Sequence, residues 1–163
     1  VEVAHALDYA WKSERHVTRS TFSAETFSAC DTADHGMLLG TILHQVSTGE
    51  VTIVQAMLLR ESGGWAIRLV LALDAFSVYA AVTAPQIKIP AEKSLLSLIQ
   101  FQGELLDKAI IGSLWWFDTR DMLVDGLTKG AVDRDALQQV LAGTFCILRE
   151  CKRWTPTRRT SDC

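Results

Sequence analysis

The chain has 163 residues, of which 48% are hydrophobic and 21% are charged. This composition excludes disordered, collagen-like and coiled-coil proteins and predicts one compact core. The 16 basic and 19 acidic residues give a net charge of −3, so binding of nucleic acid would need a local basic surface or a tether. No apolar run approaches the roughly 20 residues that cross a bilayer, and we therefore expect no membrane partner.

The beginning of the chain lacks the features of a secreted protein. It starts with Val1 and shows no charged segment followed by an apolar one, the pattern of a secretory signal. From this start we expect a fragment of a longer polypeptide. The four cysteines and four histidines do not have the spacing of a zinc site, which predicts reduced thiols. These cysteines are Cys30, Cys146, Cys151 and Cys163.

The first third of the chain predicts a strand followed by a long helix. Apolar residues alternate with polar ones over Glu2–Trp11, as in a strand with one buried face. Hydroxyl side chains in residues 19–21 can cap a helix, and Phe22–Gln45 contains no proline and has near-helical apolar spacing. The type of the next segment, Val51–Leu59, stays open between helix and strand.

The middle of the chain alternates strands with helices. Trp65–Leu73 is short and almost wholly apolar, which predicts a strand buried on both faces. Helices are predicted over Phe76–Ala84 and Lys93–Leu106, separated by two prolines, and a second buried strand over Ala109–Phe117. Helical connections of this length predict an α/β fold in which the core strands, residues 67–73 and 109–117, are parallel neighbours with the long helix on one face.

The remaining residues predict helical segments and a basic tail. One or two helical turns are expected over Met122–Lys129, a helix over Asp133–Ala142 and a short apolar run at Phe145–Leu148. Arg149–Cys163 holds five basic and two acidic residues, so it carries +3 beside −6 for residues 1–148. We expect residues 1–148 to form the domain and residues 149–163 a flexible, solvated tail, with nucleic-acid contact as the alternative.

Three carboxylates are candidates for a metal site. Glu25 is expected in the first turn of the long helix, Asp74 at the carboxyl end of a core strand, and Asp125 at the start of the later helical turns. Ligands bind at the carboxyl ends of strands in open α/β sheets, and converging carboxylates suit magnesium. The alternative is that Asp74 caps the following helix and that the other two favour helix N-termini.

Four segments in order resemble the ribonuclease H domain of copia-type LTR retrotransposon Pol polyproteins. They are Trp11-Lys12-Ser13, Arg19-Ser20-Thr21-Phe22-Ser23-Ala24-Glu25-Thr26, Leu73-Asp74-Ala75-Phe76-Ser77-Val78-Tyr79 and Asp121-Met122-Leu123-Val124-Asp125-Gly126-Leu127-Thr128-Lys129. The resemblance covers roughly residues 7–145. It implies a mixed sheet flanked by helices, and cleavage of the RNA strand of RNA–DNA hybrids with two magnesium ions, for which manganese can substitute.

The resemblance gives Glu25, Asp74 and Asp125 the catalytic, metal-binding roles. The family's fourth carboxylate lies on a strand upstream of the segment that matches Trp11-Lys12-Ser13, and Asp8 is too close to that segment to replace it. We therefore expect a partial ribonuclease H-like domain that lacks its first strand or strands and is weakly active or inactive alone. The strand that ends at Asp74 would lack one neighbour, so aggregation or borrowing of a strand is expected.

Basic residues near the proposed site are candidates for phosphate contact, with plain solvated charge as the alternative. They are Lys12, Arg15, Arg19 and Lys129. The resemblance further implies an upstream reverse transcriptase domain in the same polyprotein and an intracellular location. A second reading is a non-catalytic ribonuclease H-like remnant that serves as a structural or interaction module. Neither a nucleophile elbow nor a phosphate-binding glycine loop is present.

Overall fold

The computed structural model describes residues 18, 20–121, 135–144 and 149–156. The elements are α1 (Thr21–Thr48), α2 (Ile53–Ser62), β1 (Val70–Leu73), α3 (Phe76–Val82), α4 (Leu95–Asp107), β2 (Ser113–Phe117), a 3₁₀ turn (Thr119–Asp121), α5 (Asp135–Leu141) and β3 (Cys151–Trp154). No helix in these ranges is both long enough and apolar enough to cross a membrane. The predicted strand at Glu2–Trp11, the helical turns at Met122–Lys129 and the apolar run at Phe145–Leu148 lie outside the described residues.

The three strands form one mixed sheet in the order β1-β2-β3. β1 and β2 pair in parallel, with a register that runs from Val70 opposite Ser113 to Leu73 opposite Trp116. The parallel pairing of the two core strands is therefore confirmed. β3 pairs with the other edge of β2 in the antiparallel direction, so the chain is a mixed α/β protein.

Both core strands are shorter than predicted. β1 begins at Val70, because the chain bends at Ala66 and Ile67 after the turn at Gly63 and Gly64. β2 begins at Ser113, because Ala109 takes a left-handed φ of 55° after α4. Bends at residues 66–67 and 110–111 separate these turns from the strands, so the apolar residues between them are not part of the sheet.

The prediction that β1 is buried on both faces is wrong. Leu71 and Leu73 are buried, whereas Val70, which points to the opposite face, is 48% exposed. Leu71 and Leu73 share a core with residues of α1, α3 and α4. Because these described helices cover one face of the sheet, only alternate residues of β1 enter the core.

The long helix is confirmed and extends slightly beyond its predicted range. The Ser20 side chain accepts a hydrogen bond from the Ser23 backbone N–H at 3.2 Å, which caps α1, and the helix ends at Gly49, whose φ of 98° is left-handed. Ala29, Ala33 and Met37 lie four residues apart and are buried. They form the stripe through which α1 packs into the core beside the sheet.

The segment of open type is a helix, α2. Thr52 and Gln55 form a capping box in which the Gln55 side chain accepts the Thr52 backbone N–H at 2.9 Å. No residue of α2 is buried. The described part of the chain therefore leaves the apolar face of α2 uncovered. Because a helix of ten residues is marginal in water without packing, this face needs a packing partner.

Helices α3 and α4 occupy the predicted positions between β1 and β2. In α4, Leu95 and Ile99 are each 1% exposed and lie in the core with Val78 of α3. Gln102 of α4 donates hydrogen bonds to the Thr26 carbonyl at 3.3 Å and to the Cys30 sulfur at 3.1 Å. These bonds fix the register of α4 against α1.

Part of the predicted flexible tail is ordered. Cys151–Trp154 forms β3, and Trp154 lies opposite Leu114 and packs partly buried against the core. The sequence suggested a solvated tail because of its basic residues, but the free edge of β2 supplies backbone partners that such a segment can use. The expectation is therefore corrected for these four residues.

We expect replacement of Leu114 by alanine to destabilise the fold by about 2–5 kcal/mol, because this side chain is 1% exposed and its loss leaves a cavity between sheet and helices. Replacement of the exposed Val70 on β1 is the control and should cost less than about 1 kcal/mol. Urea unfolding of both variants measures the difference. Equal losses would contradict a core confined to one face of the sheet.

Candidate functional site

The carboxyl ends of β1 and β2 meet at the predicted site. Asp74 follows Leu73, the last residue of β1, and the backbone carbonyl of Asp74 accepts a hydrogen bond from the Trp116 indole N–H at 2.8 Å. This bond ties the turn after β1 to the last rung of the parallel pair, where Leu73 lies opposite Trp116. The position of Asp74 is thus set by the sheet.

The Asp74 carboxylate is half-buried and does not cap α3. The N-cap of α3 is Ala75, and no side chain accepts a hydrogen bond from the first turn of this helix. The alternative in which Asp74 is a helix cap is therefore wrong. Within the described ranges this carboxylate also has neither a hydrogen-bond partner nor an ion pair, so its negative charge is available to a ligand.

Glu25 lies on α1, one turn further from the helix start than predicted. Because Ser20 is the N-cap, Glu25 is the fifth helical residue and belongs to the second turn. Its side chain is half-buried. The expectation that Glu25 occupies the first turn is corrected, since the helix begins one residue earlier than the apolar spacing indicated.

The third carboxylate and the four predicted basic contacts cannot be placed. Asp125 lies outside the described residues, and so do all of the basic candidates, which are Lys12, Arg15, Arg19 and Lys129. Among the residues that are described, no three His, Cys, Asp or Glu side chains are arranged to hold a metal ion. The convergence of three carboxylates therefore stays a prediction.

A group of aromatic residues and one lysine surrounds the carboxyl ends of the strands. The Phe76 ring meets the Trp116 ring edge to face, with centroids 5.3 Å apart, and stacks near Tyr79 at 6.1 Å. The Lys152 ammonium of β3 lies 4.5 Å from the centroid of Phe76 and 6.0 Å from that of Trp116. Sequence reasoning missed this group, although Lys152 belongs to the basic segment that it singled out.

Two aspartates that follow the carboxyl end of β2 are paired with arginines. Both carboxylate oxygens of Asp118 accept hydrogen bonds from the Arg120 side chain, at 2.8 and 2.9 Å, and these bonds hold the pKa of Asp118 well below its usual range. The lowered pKa means that any stabilisation by this pair is present at neutral pH and lost as pH falls through the folded-state value. The pair faces solvent, which screens it.

Asp121 is the buried partner in the second pair. It is 6% exposed, accepts the Arg149 backbone N–H at 2.8 Å, and forms an ion pair with the Arg149 guanidinium. Arg149 stands two residues before β3. Asp121 therefore fixes the point at which the chain returns to pair with β2, a structural role that its place in the motif did not indicate.

The described cysteines are free. Cys30 is buried, and this burial raises its thiol pKa, whereas Cys151 is exposed. A buried thiol with a raised pKa is a poor nucleophile. The prediction of reduced thiols is thus confirmed for these two residues.

A cleft of about 1100 Å³ lies at the opposite end of the sheet from Asp74. Trp65, Arg68 and Gly112 are among its lining residues. The Arg68 guanidinium donates a hydrogen bond to the Gly112 carbonyl at 2.5 Å. This cation therefore already links the segment before β1 to the segment before β2. Because ligands of α/β sheets bind at the carboxyl ends of the strands, we place the candidate site at Asp74.

No protein-family profile, curated protein or solved structure matches the chain. The residues at the carboxyl ends of β1 and β2 are therefore the basis for any functional conclusion.

We expect the Asp121→Ala variant to lose about 2–3 kcal/mol of stability, because it removes the buried acceptor of two Arg149 donors. Amide hydrogen exchange should also accelerate along β2 and β3, since Arg149 no longer anchors β3. The Asp118→Ala variant, which removes the exposed pair, should have a smaller effect. Unchanged exchange in β3 of Asp121→Ala would contradict the anchoring role.

Proposed function

We propose that the chain is a ribonuclease H-type endonuclease domain of a copia-like retrotransposon polyprotein, which cleaves the RNA strand of RNA–DNA hybrids with magnesium. The observation that carries the proposal is the half-buried Asp74 carboxylate, which ends a strand of a parallel pair and neither caps a helix nor pairs with a described cation. The ordered segments that resemble the family support it. An upstream reverse transcriptase domain and an intracellular location belong to the same proposal.

The donor chemistry of the candidate residues suits magnesium. Asp74 and Glu25 offer carboxylate oxygens, which are the ligands that hard divalent cations prefer, and Asp125 would be the third ligand. Two magnesium ions, when bound, supply the positive charge that activates an attacking water and stabilises the leaving 3′ oxygen. The hydrogen bond from Trp116 to the Asp74 carbonyl holds the Asp74 backbone at the carboxyl end of β1.

Substrate selection would depend on the shape of the hybrid. The 2′-hydroxyl groups distinguish RNA from DNA, and contacts to them and to phosphates need no reading of base sequence. Beside Asp74, the Lys152 ammonium over the Phe76 ring offers a cation for phosphate contact. This arrangement agrees with a nuclease that is specific for hybrid structure but not for sequence.

We expect Asp74→Asn to lower magnesium-dependent hybrid cleavage by more than about tenfold, because an amide is a weak magnesium ligand. Glu25→Gln should behave in the same way. Asp107→Asn is the matched control and should retain activity, since Asp107 ends α4 and lines the cleft at the other end of the sheet. The assay uses residues 1–163 and the longer polyprotein that this proposal implies.

Full activity of Asp74→Asn would overturn the assignment of the metal site. Cleavage without a divalent ion would overturn the proposed chemistry. If neither chain cleaves the hybrid, the non-catalytic reading replaces the enzyme.

The second candidate function, an interaction module, is favoured by an apolar surface on α1 and α2. Its exposed side chains are Leu38 (53%), Ile42 (47%), Val46 (78%), Ile53 (81%), Val54 (66%), Met57 (57%) and Leu58 (54%). No Asp, Glu, Lys or Arg occurs in residues 36–48 or 53–59. The Arg60–Asp34 pair, at 3.5 Å, is the charged border of these apolar stretches. An apolar surface complements another apolar surface, and we propose a second copy of the chain in a two-fold dimer as its occupant.

The dimer should be disrupted by Ile53→Glu, because a charge would be buried between the two apolar surfaces. Ile89→Glu is the control, since Ile89 is similarly exposed, at 72%, but lies outside this surface. Sedimentation equilibrium should give a dimer for the original chain and for Ile89→Glu, and a monomer for Ile53→Glu. A monomeric original chain would contradict the proposal.

A further inference from the structure

Lys152 lies on the same rung of the sheet as the residue before Asp74. Leu73 is opposite Trp116, and Trp116 is opposite Lys152. Two strand spacings of about 4.8 Å put the backbone of Lys152 roughly 10 Å from that of Leu73. At this separation both residues can contact one bound nucleic-acid strand.

The Lys152 ammonium is held over two aromatic rings. It lies 4.5 Å from the Phe76 centroid and 6.0 Å from the Trp116 centroid, and these rings attract a cation through their faces. The Lys152 side chain is 44% exposed, and Phe76 is 45% exposed. The aromatic rings thus hold the ammonium from one side, and its other side remains open to solvent.

The other charged contact of Lys152 is weak. The ammonium is 3.8 Å from a carboxylate oxygen of Glu150, whose side chain is 71% exposed. An exposed pair at this distance contributes little to stability. A phosphate oxygen can therefore replace Glu150 without disturbing the contacts with the aromatic rings.

We propose that Lys152, held by Phe76 and Trp116, binds a backbone phosphate of the RNA–DNA hybrid next to the position of Asp74. This inference rests on the proposed function, because it takes the hybrid as the ligand. Phosphate contacts position a nucleic acid without reading its sequence. A compact ammonium suits this role because it can approach a phosphate from many directions.

The test is a salt titration of hybrid binding by the full 163-residue chain, measured as fluorescence anisotropy of a labelled hybrid in EDTA so that no cleavage occurs. Lys152→Gln should weaken binding several-fold and reduce the slope of log affinity against log salt by about one, the change expected for one lost phosphate contact. Lys108→Gln is the matched control, since it removes one positive charge from an exposed residue that is paired with Glu104 on α4. It should leave the slope unchanged.

Lys152→Arg provides the rescue, because an arginine keeps the charge and stacks on aromatic rings. Its slope should return to that of the original chain. Circular dichroism confirms that each variant is folded.

A Lys152→Gln slope equal to that of the original chain would overturn the Lys152 proposal and leave the nuclease proposal intact. Absence of hybrid cleavage by both chains, combined with the reduced slope of Lys152→Gln, would overturn the nuclease proposal alone. Failure of the original chain to bind the hybrid would overturn both.

Discussion

The parallel pairing of β1 with β2 is the constraint on which the rest of the structure depends. It joins two segments that are about forty residues apart in the sequence, and its last rung brings Leu73 opposite Trp116. The indole of Trp116 then reaches the Asp74 carbonyl at 2.8 Å. Because this bond forms only in the paired sheet, the position of the candidate metal ligand depends on the integrity of that pairing.

The core is one-sided, and this explains which helices are well buried. Stripes of α1, α3 and α4 pack with Leu71, Leu73 and Leu114, whereas α2 has no buried residue. Helix α2 is as apolar as a buried helix, but in the described structure its apolar side chains are exposed to solvent. Such a surface is costly in water, which is the physical basis for the dimer proposed above.

In the C-terminal segment, the ion pair between Arg149 and the buried Asp121 orders part of a basic stretch of the chain. Asp121 anchors Arg149, and the chain that follows meets the free edge of β2 in register. In this register Lys152 lies opposite Trp116 in the sheet, and its ammonium lies over the Phe76 ring. A cation that would otherwise be one of several solvated charges is thereby fixed near Asp74.

The sequence by itself determined the α/β class, the long helix α1, the parallel core strands and the candidate carboxylates, because these follow from local apolar periodicity and motif order. It did not determine where β1 and β2 begin, because bends at residues 66–67 and 110–111 shorten the strands. It also left open whether Asp74 caps α3, and the structure excludes this cap because the N-cap of α3 is Ala75. The ordering of β3, and with it the place of Lys152, depends on pairing with distant residues of β2, and no local pattern in the sequence encodes such a contact.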